Sequence, residues 1–153
     1  MTYPVRFKLD PTVDGLELVR QWMDAGLEVG GFLQRLGARP VEAREGFVRF
    51  LLDVDVGHLN LMGIVHGGVT AAIVDMAGAS AVMTVLTPGQ TLATTDLTTR
   101  FLNAAPGGAK QLEATGTLTY RDDRKATVAV QVATDTGVVV AQGSVGVAIR
   151  APR

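Results

Sequence analysis

The chain has 153 residues, 47% of them hydrophobic and 19% charged, against about 25% charged in ordinary soluble proteins. Fourteen Lys and Arg nearly balance fifteen Asp and Glu, for a net charge of -1, which leaves no electrostatic footprint for nucleic acid or an anionic membrane. The absence of cysteine excludes disulfides, thiolate nucleophiles and Cys-ligated zinc, and two histidines, His58 and His66, are too few for a multi-histidine metal site in one subunit.

Met1 to Asp10 carries Arg6 and Lys8 but no apolar run followed by a small-residue cleavage site, so no secretory signal is read and a cytoplasmic protein is expected. From Gly15 to Leu36, apolar residues recur at mostly helical spacing with breaks near Gly26 and Gly30-Gly31, predicting one broken helix or two short ones. Ala38 to Val56 turns to Val- and Phe-rich runs around Glu45-Gly46, a hairpin of two strands. The longest apolar stretch, Val69 to Leu86, contains Asp75 and has no close basic flank, so it is read as a buried helix and not a membrane span. Its many Gly, Ala and Ser residues would let a sheet, or a second copy of the helix, come close. Four strands follow: Thr91 to Leu102, Gln111 to Arg121, Ala126 to Thr134 and Val138 to Ile149. Pro106-Gly107-Gly108, Asp122-Asp123 and Asp135-Thr136-Gly137 supply the turns. No linker or repeat divides the chain, so one domain over residues 1–153 is expected, with an N-terminal helical segment at 1–36 and the core at 37–150. Six antiparallel strands and one helix apolar on nearly every face predict an α+β fold in which the sheet curls around the helix.

The unusual polar choices concentrate between Asn60 and Asp75. His66-Gly67-Gly68 at a helix start offers backbone N–H groups and the positive end of the dipole to an anion or a developing oxyanion, with no side chain in the way. Asp75, inside an otherwise apolar helix, is costly unless it has partners or faces a cleft, which makes it a candidate functional group. Gly68 and Asp75 share a helix face, but about 10 Å of axial rise separates them, and about 12 Å separates Gly67 from Asp75. One carbonyl cannot touch both ends within one helix. If both act on it, the second half of the site comes from a second subunit across a two-fold axis.

The pattern Asn60-x-x-Gly63-x-x-His66-Gly67-Gly68-x6-Asp75, followed by Gly78, Thr94-Thr95-Asp96 before Phe101, and Val139-Val140-Ala141-Gln142-Gly143, resembles the PaaI-type hotdog-fold acyl-CoA thioesterases from about Leu36 to Ile149. The resemblance implies a curved antiparallel sheet around one long helix, subunits paired at least as homodimers and further as homotetramers, and hydrolysis of an acyl-CoA without metal or organic cofactor. It makes Asp75 the catalytic carboxylate, as nucleophile or general base, and Gly67 the backbone donor to the thioester carbonyl. Asn60 and His66 would support the oxyanion site, and Thr94 would place water or the carboxylate. Gly68 and Thr95 are further substrate-binding candidates. Where the family often has Arg-Pro-Ala, this chain has Asn103-Ala104-Ala105-Pro106, a departure from the family's CoA phosphate site; Arg124 and Lys125, in the turn of Arg121-Asp-Asp-Arg-Lys125, are candidate cations for the phosphates. Trp22, Met23, Phe32 and Leu33 could line an acyl pocket; phenylacetyl or a hydroxylated aromatic acyl group is the first expectation, with short or medium aliphatic chains second.

Structural roles compete with these assignments. His66 could be a helix-end histidine holding a backbone group, Asn60 a turn former, Thr94 interchangeable with Thr95, and Arg124 and Lys125 a solvated turn. The Asp53-x-Asp55-x-x-His58 cluster resembles a metal set by residue type only. Its Asp53 to His58 spacing matches a hotdog hydratase by count but lacks that site's context. A non-catalytic acyl-CoA-binding domain is the remaining alternative.

Overall fold

The computed structural model describes residues 4–152. The N-terminal segment divides into helix α1 (Gly15–Ala25), a 3-10 turn (Gly26–Val29) and the short helix α2 (Gly31–Leu36). Asp14 caps α1 by accepting the Glu17 N–H at 2.9 Å. Gly26, at φ 54°, ends it, so the break near this glycine is backbone geometry and not a change in polarity. Gly15, Val19 and Trp22, four and three residues apart, form the buried face of α1.

The remaining elements are β1 (Ala38–Arg44), β2 (Phe47–Asp53), α3 (Gly67–Met83), β3 (Thr91–Phe101), β4 (Gln111–Arg121), β5 (Lys125–Thr134) and β6 (Val139–Arg150), with a second 3-10 turn at Val56–His58. The strands form one antiparallel sheet in the order β1-β2-β4-β5-β6-β3. The apolar stretch ending at Leu86 overruns α3 by three residues. Leu86 lies in the turn beyond, where its carbonyl accepts the Gly15 N–H at 2.9 Å and ties α1 to the end of α3. Among the described residues no helix is long and apolar enough to cross a membrane.

Alternation sends Val48, Phe50, Leu52, Leu112, Ala114, Val128, Val132, Val145 and Val147 inward to meet Ile73, Val74, Ala77, Ala81 and Val82 of α3. Register shifts between Pro40 and Glu42, Thr94 and Asp96, Leu118 and Tyr120, and Val132 and Ala133 add the bends that curl the sheet around the helix. The small residues of α3 act as expected. A Cβ on Gly78 would lie 2.4 Å from a Val145 methyl, and one on Gly116 of β4 would lie 2.4 Å from the Ala77 carbonyl oxygen.

Backbone meets backbone at Gly116, so no rotamer change can relieve a clash there. Gly116→Ala is expected to lower stability by about 2–3 kcal/mol, the upper end of overpacking costs. Urea unfolding checks this as a lowered midpoint with an unchanged slope.

Candidate active site

Helix α3 presents Asp75 near its middle, and β3 brings Thr94 against it: the Thr94 hydroxyl donates to Asp75 Oδ1 at 2.7 Å. Asp75 is half-buried, and its Oδ2 has no hydrogen-bond partner among the described residues. The register shift in β3 decides which threonine serves. Thr94 lies in the row of Val147 and Ala126, both facing α3, whereas the Thr95 hydroxyl donates to Asp96 Oδ2 at 2.8 Å and not to Asp75.

The pair lies on the wall of a groove of about 630 Å³ that runs along α3 from Gly68 to Met83. Ala71, Ala72 and Ala79 give it a low floor; Trp22, Phe32, Leu33, Met76 and Leu97 form its walls, and among the described residues Asp75 is the one charged group in its lining. Of the pocket residues expected from the N-terminal segment, Trp22, Phe32 and Leu33 line the groove, and Met23 packs instead against the core. Met76, Ser80, Met83 and Leu97 were not foreseen. The first three follow Asp75 on the same helix, so their spacing carried a signal; Leu97 depended on the strand pairing.

Gly67 faces a different cavity, of about 300 Å³, shared with Asn60, Thr70, Phe101 and Asn103. Successive helical residues diverge by about 100°, so Gly67 and Gly68 open onto different sides of α3. Their N–H groups also differ in availability. That of Gly68 donates to His66 Nδ1 at 2.9 Å, which makes His66 the helix N-cap. The Gly67 N–H has no acceptor among the described residues. Phe101 packs over Gly67, where an added Cβ would lie 3.2 Å from its ring. Residue spacing could not reveal that Phe101 belongs to this cavity.

Asn60 shapes the loop before α3. Its Oδ1 accepts the N–H groups of Met62 at 2.9 Å and Ile64 at 3.3 Å, while Asn60 itself borders the Gly67 cavity. With Nδ1 of His66 accepting, a neutral ring carries its proton on Nε2. His66 is exposed and borders a depression beside Leu61 and Met62. The structure does not bring Arg124 and Lys125 to either cavity. Lys125 pairs with Ala148, one residue out of the Ala126–Val147–Thr94 row, so alternation points its side chain to the outer face of the sheet. Asp122 Oδ1 accepts the backbone N–H groups of Arg124 and Lys125, each at 2.8 Å, which accounts for the turn.

The Asp53, Asp55 and His58 cluster is committed elsewhere. Partial burial pushes the Asp53 carboxyl up, but hydrogen bonds from Arg39 and from Gln111, the latter at 2.7 Å, hold it below its ordinary value. Asp55 caps the 3-10 turn, and buried His58 accepts the Asp55 N–H at 3.0 Å. Among the described residues no group of three or more His, Asp or Glu is placed to hold a metal ion.

The family model described as the thioesterase superfamily matches residues 62–141, a span from the loop before α3 to the start of β6. No curated protein matches the chain. Among solved structures, zebra fish thioesterase superfamily member 2 is similar at 28% identity and a TM-score of 0.72, over 87% of this chain and 96% of that one. The Escherichia coli PaaI protein from the phenylacetic acid degradation operon is similar at 21% identity and 0.76, over 88% and 94%. A hypothetical thioesterase from Streptococcus pneumoniae, solved with coenzyme A, is similar at 19% identity and 0.68, over 76% and 88%. The architecture is the hotdog fold.

Proposed function

The chain belongs to the thioesterase superfamily, and from that membership and the Asp75–Thr94 pair we propose that it hydrolyses acyl-CoA thioesters to the free acid and CoA. The observation that carries this reading is a half-buried carboxylate, oriented by one hydroxyl and otherwise unpaired, on the wall of an apolar groove. Asp75 Oδ2 attacks the thioester carbonyl, or takes a proton from the water that does. General-base assistance of this kind contributes about 10²- to 10⁴-fold. The Gly67 N–H, at the positive end of α3, receives the oxyanion. Helix rise puts it about 12 Å from Asp75 of the same chain, so each site pairs Asp75 of one subunit with Gly67 of its partner.

Strand β3 supports that pairing. Among the described residues it is an edge strand bonded to β6 alone, and Leu97 and Phe101 on it are exposed although one lines the Asp75 groove and the other the Gly67 cavity. A homodimer joined along this edge is the minimum working unit. Trp22 and Phe32 in the groove favour an aromatic acyl group over short aliphatic chains.

A panel of acyl-CoAs with free-thiol detection tests the reaction. Asp75-dependent release of CoA is the expected result. Binding without thiol release makes the protein an acyl-CoA-binding domain, and an enoyl- or 3-hydroxyacyl-CoA product without thiol makes it a hydratase.

Thr94 acts through Asp75 in this scheme. Thr94→Val removes a hydrogen bond to a charged group and is expected to lower kcat about tenfold with little change in KM. Thr94→Ser, which keeps the hydroxyl, is expected to restore most of the rate. Steady-state kinetics of both variants checks the pair.

A further inference from the structure

The open edge of β3 carries two charges that the reaction does not use. Asp96 and Arg100 are the charged residues of this strand, both are exposed, and neither has an ion-pair partner among the described residues. They share the outer face of the sheet, since they alternate with Leu97 and Phe101, which line the cavities beside α3. Isolated charges on an edge strand ordinarily keep other strands away. Opposite charges four residues apart do the reverse for one arrangement, because an antiparallel copy of the same strand brings each beside its complement.

The site itself locates that copy. If Asp75 works with the partner's Gly67, the two-fold axis lies midway between the two positions, and β3 marks both ends: Thr94 bonds Asp75, and Phe101 packs over Gly67. Thr94 lies in the row of Val147 and Phe101 in that of Ala141, so the midpoint is the row of Ser144, which pairs with Thr98. With Thr98 on the axis, Asp96 stands directly opposite Arg100 of the partner, and the pair occurs twice. The charges play no part in locating the axis, yet they meet across it. A two-fold axis normal to the sheet keeps each side chain on its own face, so the neighbouring registers differ by two residues, about 7 Å of sliding along the edge. Such a slip offsets both pairs and carries the partner's Gly67 away from Asp75.

We propose that Asp96 and Arg100 pair reciprocally with Arg100 and Asp96 of a second copy, fixing the register of the two β3 strands with Thr98 on the two-fold axis and so aligning Asp75 with the partner's Gly67. This rests on the two-subunit reading above for the position of the axis. Asp96 and Arg100 are positioning residues, acting on the site only through the interface. In the single chain the Asp96 carboxylate lies over Gly146, where an added Cβ would collide with it. A side-chain rotation, common at interfaces, brings it to the edge.

The chain has no cysteine, so one introduced thiol reports the register directly. The Leu102 N–H donates to the Val140 carbonyl at 2.9 Å, and alternation from there turns the backbone of Thr98 toward β6. The pairing of Thr98 with its own copy is then a non-hydrogen-bonded one, with about 4.5 Å between Cα atoms. A disulfide spans that distance, whereas a slip to the next register parts the two residues to about 7–8 Å, beyond its reach. Thr98→Cys is expected to give a covalent dimer on mild oxidation, seen on a non-reducing gel. Charge reversal tests the ion pairs. Asp96→Arg and Arg100→Asp each set like charges opposite one another, and each homodimer is expected to dissociate about 10- to 100-fold more readily, measured by sedimentation. An equal mixture of the two variants restores opposite charges in both pairs and is expected to form heterodimers with native affinity. Thr98→Cys changes one exposed side chain and keeps the test usable if a reversal variant does not fold. A monomeric native protein, a dimer that Thr98→Cys does not cross-link, reversal variants that self-associate as tightly as the native chain, or a mixture that regains no affinity each overturn the proposal. None of these readouts needs turnover, so if no thioester is hydrolysed the function proposed above fails while the register is still decided.

Discussion

Asp75→Asn is expected to lower kcat/KM for the preferred acyl-CoA by about 10²- to 10⁴-fold while leaving substrate affinity within a few-fold of native. The amide keeps the shape of the carboxylate and can still accept from the Thr94 hydroxyl, so the α3–β3 contact and the groove persist. It can neither take a proton from water nor attack a carbonyl. Steady-state thiol release measures the rate, and a calorimetric titration with the same thioester measures binding. A variant that hydrolyses acyl-CoA as fast as the native protein would remove Asp75 from the chemistry, since among the described residues the groove has no other charged group to replace it.

The second large effect concerns the division of the site between subunits. Gly67 occupies the first position of α3, where proline is well tolerated because its fixed φ suits a helix start. Gly67→Pro therefore deletes the proposed oxyanion donor without an intrahelical cost. The contact it adds is with the tip of the Phe101 ring, on an exposed side chain that can yield. Loss of one such donor costs about 10²- to 10³-fold in kcat. Homodimers of Gly67→Pro and of Asp75→Asn are each expected to be nearly inactive. In a randomised equal mixture half the dimers are mixed, and each of those holds one site with native Gly67 facing native Asp75, so about a quarter of native activity returns. Mass spectrometry of the intact dimers verifies exchange. Verified exchange without recovered activity would place both halves of the reaction on one chain, contrary to the 12 Å rise between them.

Much of this site could be read before any fold was known, because it is encoded locally. His66-Gly67-Gly68 marks where α3 begins, and 1.5 Å per residue separates the proposed oxyanion donor from the carboxylate whatever surrounds the helix. Turn residues set the ends of β4 at Gln111 and Arg121 where the structure has them. The choices that depended on distant partners were less legible. Thr94 and Thr95 are chemically identical neighbours, and a register shift against β6 selects the one that reaches Asp75. Gly67 and Gly68 look alike in sequence, but the His66 imidazole takes up the N–H of the second. Arg124 and Lys125 have the right charge for phosphates, yet strand alternation directs Lys125 to the far face of the sheet.

The sequence by itself directed the proposed chemistry to one carboxylate and backbone amides. Without cysteine, and with two histidines, one capping a helix and the other buried in a turn, few other groups remain. Helix geometry likewise separates Asp75 from Gly67 without reference to any other element. Tertiary structure alone decided that β3 lies at an open sheet edge beside β6 and that the N-terminal helix lays Trp22 along the Asp75 groove. The division follows from the range of the interactions. Helix rise, caps and turns are settled by residues a few positions apart, whereas strand order, register and cavity walls come from pairings between segments remote in the chain, which residue spacing does not encode.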